Sequence, residues 1–117
     1  MIRLATTVLL ATWVVGCASS SLPPAKVADT QSSISAATAV GADQNPQAAL
    51  HLKMARDQLS QARALIEDGK NSEAQLVLER ANADAEVALM ITREAQADAN
   101  ARKADAELQG LQPNRNQ

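Results

Sequence analysis

Apolar and polar positions follow a helical period through most of this chain. The clearest stretch runs Ala48, Leu52, Ala55, Leu59, Ala62, Ile66, with spacings that alternate between four and three. Since 3.6 residues complete a turn, these side chains share one face of an α-helix. Asn45-Pro46 stands before the stripe and Asp68-Gly69-Lys70 after it. Asparagine accepts from the free N–H groups of a helix start and proline fits its first turn, so a helix is predicted from Pro46 to the glycine turn. The same rhythm resumes with Ala74, Leu78, Ala81, Ala85, Ala88, Thr92, Ala95, Ala99 and Ala106, interrupted by Arg102, with no Gly or Pro before Gly110. Asn71 or Ser72 is the predicted cap, and with Ser72 in that role Gln75 completes a capping box. At about 1.5 Å per residue a helix from Ser72 to Gln109 reaches about 55 Å, against about 35 Å for its predecessor. It must overhang.

A weaker stripe precedes both. Val27, Ile34 and Ala37 share a face from Pro24 or Ala25 to Val40, Thr30, Ser32, Ser33 and Ser35 dilute it, and Gly41 is the predicted C′ residue. The expected fold is all-α: an antiparallel helical hairpin with a shorter N-terminal helix, three-helix bundle-like, and a long C-terminal helix. The first helix either folds back on the hairpin or extends the line of the second helix; the bundle is the expectation. Met54 and Met90 read as core filler, with large apolar side chains (Leu76, Val77, Leu78, Val87, Leu89, Ile91) gathered in the first half of the long helix. Lys53 with Asp57, Arg63 with Glu67, Asp98 with Arg102 and Lys103 with Glu107 are spaced for surface pairs worth a few tenths of a kcal/mol. Residues 24–109 form the expected domain, followed by a polar, disordered tail over 110–117.

Composition narrows the function. The 117 residues include 25 alanines, the best helix former, and one aromatic residue, Trp13. Stacking platforms for bases or sugars are therefore absent beyond that position. A formal charge of −2 with no basic patch argues against nucleic acid. The single histidine, His51, has Gln47, Ala48, Met54 and Ala55 as helical neighbours, which assigns it a structural or solvent-exposed role rather than a metal site. Glu67, Asp68 and Glu73 surround the hairpin turn as a solvated helix end. No nucleophile has a base beside it, no carboxylates pair in an apolar setting, and no glycine-rich phosphate loop occurs. No catalytic, metal-binding or cofactor-binding residue is expected, and the chain reads as a non-enzyme.

The remaining signal is at the N-terminus. Arg3 precedes an apolar run, Leu4 to Val15, that is too short to span a membrane and reads as a secretory signal. Val14-Val15-Gly16-Cys17 resembles the bacterial lipobox. That resemblance implies cleavage between Gly16 and Cys17, a signal peptide over residues 1–16, and a diacylglycerol on the Cys17 sulfur, with the new amine usually acylated as well. Two or three chains hold a protein on a bilayer where one does not, at about 0.8 kcal/mol per buried methylene. Acylation also gives a use to a lone thiol in an oxidising compartment. Ala18, where aspartate would imply retention in the inner membrane, points to the periplasmic face of the outer membrane. Residues 17–23, with Ser19-Ser20-Ser21 and then Pro23-Pro24, read as the lipidated cysteine and a flexible tether, able to hold the domain some 20 Å off the lipid.

Residues 46–99, with Leu and Ala at helical spacing, the Gly69 turn and Ala83-Asp84-Ala85, resemble the short alanine-rich helical domain of unknown function found in proteobacterial lipoproteins. Such domains are often fused to, or encoded beside, a domain of the outer-membrane-protein-A type that binds peptidoglycan. The resemblance transfers no catalytic residue and implies an envelope protein partner of that type. A tetratricopeptide-like unit is a poorer fit, since the repeat is single and its tyrosine and phenylalanine are missing. The expected function is thus an outer-membrane lipoprotein, a periplasmic helical adaptor or spacer presenting its hairpin to an envelope or peptidoglycan-associated protein. The alternative is a homo-oligomer, a self-assembling coiled-coil lipoprotein resembling the murein lipoprotein. It would lack that protein's C-terminal lysine, since this chain ends Arg115-Asn116-Gln117.

Overall fold

The computed structural model describes residues 24–111; the expected signal peptide (1–16), the expected tether with Cys17 (17–23) and residues 112–117 of the expected tail lie outside them. Three helices, α1 (Pro24–Ala39), α2 (Pro46–Glu67) and α3 (Asn71–Gly110), account for nearly all of this span, with a short 3₁₀ turn over Ala42–Gln44. No strand occurs among the described residues. The fold is all-α, as expected.

α2 and α3 form the antiparallel hairpin through the two predicted stripes. Ala48, Leu52, Ala55, Leu59 and Ala62 of α2 are buried against Ala74, Leu78, Ala81, Ala85 and Ala88 of α3. Leu52 and Leu78 are the largest fully buried side chains. With alanine at most other core positions, little side-chain bulk separates the two backbones, and dispersion contacts form along the whole seam. Thr92 ends the buried stripe of α3, its hydroxyl satisfied by donating to the Ala88 carbonyl at 2.8 Å.

The ends of α2 follow from local chemistry. The Asn45 side chain accepts from the N–H groups of Gln47 and Ala48 at 3.0 and 3.1 Å. At the other end Gly69 adopts φ +75°, with Lys70 N–H donating to Leu65 O and Gly69 N–H to Ile66 O at 2.8 and 3.0 Å. This is a Schellman closure, and its left-handed residue favours glycine. It corrects the start expected for α3. The closure delivers the chain straight into the next helix at Asn71, leaving Lys70 as the N-cap with no side-chain cap bond. Gln75, assigned to a capping box, instead donates to Glu79 at 3.1 Å. Gly110, placed beyond the helix, is its last residue, since nothing before it stops the helix.

α1 folds back onto the hairpin, as expected for a bundle, and runs parallel to α3. Lys26 lies 3.6 Å from Glu79, Ser33 Oγ donates to Asn82 at 2.6 Å, and Gln96 Nε2 donates to Val40 O at 2.9 Å. On the α2 side, Arg63 donates to Gln31 and Arg56 to Thr38 at 3.1 and 2.9 Å. Thr30 is not a dilution of the α1 stripe but part of it, buried with Ile34 and Ala37 and donating to Lys26 O at 3.0 Å. Gly41 takes φ +86° after α1, as predicted. The Gln75 amide holds the Glu79 carboxyl below its usual range; slight desolvation opposes this, and Lys26 adds to it.

Several surface expectations are corrected. Met54 and Met90 are 39% and 61% exposed, because each points away from its helix's buried stripe. Leu76 is likewise exposed. Of the spaced ion pairs only Lys53 with Asp57 closes. Arg63 turns to Gln31 rather than Glu67, and neither Asp98 with Arg102 nor Lys103 with Glu107 comes within ion-pair distance. Every side chain from Arg93 to Leu111 is exposed, so the overhang is present and uncovered.

Two stability measurements follow. Leu52→Ala or Leu78→Ala should cost about 2–5 kcal/mol in a denaturant titration, because each empties one of the few large core positions. Truncation after Glu94 should leave the three helices folded by circular dichroism and cost no more than about 2 kcal/mol, since among the described residues it removes only exposed side chains and the Gln96 contact.

Candidate functional site

Two regions of the described chain carry something beyond core packing. The first is a polar cluster on the face of the hairpin away from α1. His51 and Gln58 lie seven residues apart on one edge of α2, and Asp84 faces them from α3. Asp84 Oδ1 is 2.9 Å from His51 Nδ1, and Asp84 Oδ2 accepts from Gln58 Nε2 at 2.8 Å. The His51 and Asp84 side chains are 28% and 17% exposed. Gln58 Oε1 is buried with no partner.

An imidazole oriented by a carboxylate is half of a general-base arrangement, but chemistry also needs a nucleophile or bound ligand within reach. No hydroxyl, thiol or amine bonds to this pair. Among the described residues no three His, Cys, Asp or Glu side chains gather as metal ligands. What the cluster does supply is a bridge between the two helices. One carboxylate ties two turns of α2 to one turn of α3 and fixes the register of a seam that alanines alone would let slide. His51, expected to be structural or solvent-exposed, is partly exposed and bonded to Asp84 across the hairpin. Its partner Asp84, the central residue of Ala83-Asp84-Ala85, went unassigned in the sequence because it lies 33 residues away.

The second region is the overhang of α3. α1 begins beside Glu79 and ends beside Gln96, so the start of α1 lies at the Gly69 end of the bundle, and the overhang leaves from the opposite end. Ala95, Ala99 and Ala106 prolong the buried stripe with nothing against them. The shallow clefts between α1 and its neighbours are wide open and lined by mixed side chains, such as Lys26, Asp29 and Glu79 in one and Val27, Arg63 and Ile66 in another. No described helix is long and apolar enough to cross a membrane.

The comparison with known families is decisive at one level. A family model, Domain of unknown function (DUF4398), matches residues 25–111. The chain belongs to this family. Its match begins within the first turn of α1 and ends at the last described residue, so the DUF4398 unit is the whole three-helix body with its overhang, wider than the 46–99 stretch that carried the resemblance in sequence. No curated protein and no solved structure matches the chain. Gly16 and Cys17 lie outside both the matched and the described residues.

Removing the shared acceptor tests the bridge. Asp84→Ala should destabilise the domain by about 1–3 kcal/mol in urea titration, because His51 and Gln58 lose their partner while part-buried. Replacing all three by leucine should recover most of that loss. A neutral Asp84→Ala would show that the cluster contributes nothing to holding the hairpin.

Proposed function

We propose that this chain is an outer-membrane lipoprotein, anchored through Cys17 on the periplasmic face, in which the DUF4398 body serves as a non-enzymatic helical adaptor or spacer. The observation that supports it is the opposition of the two ends of the domain. α1 starts at the Gly69 end of the bundle, and α3 leaves at the other with an uncovered run from Arg93 to Gly110. From the level of Glu79 to Gly110 the helix rises by about 45 Å, and the tether can add some 20 Å. A lipid-anchored copy thus holds its free helical segment about 65 Å from the bilayer. The polar Ser, Gln and Arg contacts between α1 and the hairpin suit a domain that works in water beside the membrane. The partner we propose is an envelope protein of the peptidoglycan-associated, outer-membrane-protein-A-like type, met by the prolonged alanine stripe Ala95, Ala99 and Ala106.

Labelling cells with a radioactive fatty acid should mark the wild-type chain and leave Cys17→Ser unmarked. Label on both, or on neither, would remove the anchor and with it the adaptor reading.

A further inference from the structure

α3 is apolar on two opposite faces. Its buried stripe packs on α2, and a second series on its back obeys a strict heptad. Met90, Ala97, Ala104 and Leu111 occupy one repeating position, and Val87, Glu94, Ala101 and Leu108 the other. Met90, Leu108 and Leu111 are 61%, 59% and 82% exposed. A spacing of 3.5 residues sustained over 25 residues is the signature of a helix that coils against another helix. From Met90 to Leu111 every residue of this series is exposed, and Val87 at its start is half-buried.

We propose that the back of α3 is a dimerisation seam, and that its occupant is the same seam of a second copy lying antiparallel, with the twofold axis passing between Ala97 and Ala101. In that register the large residues meet at both ends, Val87 against Leu111 and Met90 against Leu108 of the second copy. Alanines meet in the middle, where backbones can come close. Glu94 falls against Ala104 rather than against itself. At the flanks Arg93 faces Glu107 of the second copy, twice by symmetry. Asp98 meets its own equivalent at the axis, with Arg102 one turn away on each helix.

The alternatives are poorer. A parallel pair stacks Glu94 on Glu94 and, two heptads further back, Arg80 on Arg80 inside the seam. Shifting the antiparallel register by one heptad toward the bundle sets Glu86 against Glu107 and Asp84 against Asp105; shifting it the other way takes Met90 away from Leu108. Charge and side-chain size therefore select the same register. The start of α1 in one copy then lies about 60 Å along the axis from that of the other. Paired copies on a lipid surface lie along it, whereas a single copy stands on it. The seam itself does not depend on the anchor.

The test uses the full chain with Cys17→Ser, so that only introduced thiols react, and a short bismaleimide. Asn100→Cys, beside the axis, should give a covalent dimer. Met90→Cys or Leu108→Cys alone should give little, but a mixture of the two should give one efficiently. Efficient crosslinking of Met90→Cys to itself would mean a parallel pair and would overturn the proposal, as would the absence of a dimer from Asn100→Cys. Arg93→Glu or Glu107→Arg should each weaken the dimer about tenfold in sedimentation, and the double exchange should restore it. Unchanged sedimentation of all three would sink this register. Retained fatty-acid labelling of a dimerless Arg93→Glu chain bearing the native Cys17 keeps the anchor question separate from this one.

Discussion

The close contact of two alanine-lined helix faces is what the rest of this structure depends on. Methyl side chains bury little area each, so the hairpin gains stability only if α2 and α3 stay near one another over many turns. Leu52 and Leu78 supply the main buried bulk, and the remainder is a long shallow seam. Such a seam has weak preferences for register. The structure meets that weakness with directional groups, Gly69 and its two backbone bonds at one end and Asp84 bonded to His51 and Gln58 in the middle. The apolar contact holds the helices together, and polar contacts say where.

The same economy explains α1. Its buried face is Thr30, Ile34 and Ala37 with Val27 at the edge, too little to dock a helix through burial alone. Ser33 donates to Asn82 of α3, and Thr38, Gln31 and Val40 accept from Arg56, Arg63 and Gln96, which ties its length to both hairpin helices. Because α1 runs parallel to α3, the entering chain and the departing helix are at opposite ends. Any function that joins one place to another inherits this polarity from the hairpin's topology.

α3 then carries two kinds of surface. Over its first half one face is consumed by the hairpin; over its second half that face is free, and along most of its length the back remains apolar. A helix with a single task would have placed charges there. Met90, Leu108 and Leu111 fall on one heptad of that back and stay exposed.

Much of this was legible from residue order. The four-three stripes named nearly every buried position of α2 and α3, because a helix buries a face and 3.6 residues per turn dictates which residues share it. Asn45, Gly41 and Gly69 marked their turns, because capping and left-handed backbone are local matters decided by the residue itself. The family too was readable from the alanine pattern. The sequence could not determine anything that needs two segments at once. Thr30 looked like an interruption until α3 covered it, Asp84 had no assigned role until α2 brought His51 and Gln58 to it, and Met54 and Met90 looked like core. Hydrophobicity says that a side chain gains by burial, but whether a neighbour is there to bury it is decided by how the helices lie. The sequence by itself determined three helices, most of their buried faces, and the turns at Gly41, Asn45 and Gly69. Only the tertiary structure decided which polar groups meet, which apolar ones stay in water, and that the free end of α3 points away from the start of α1, since each of these depends on distances between residues far apart in the chain.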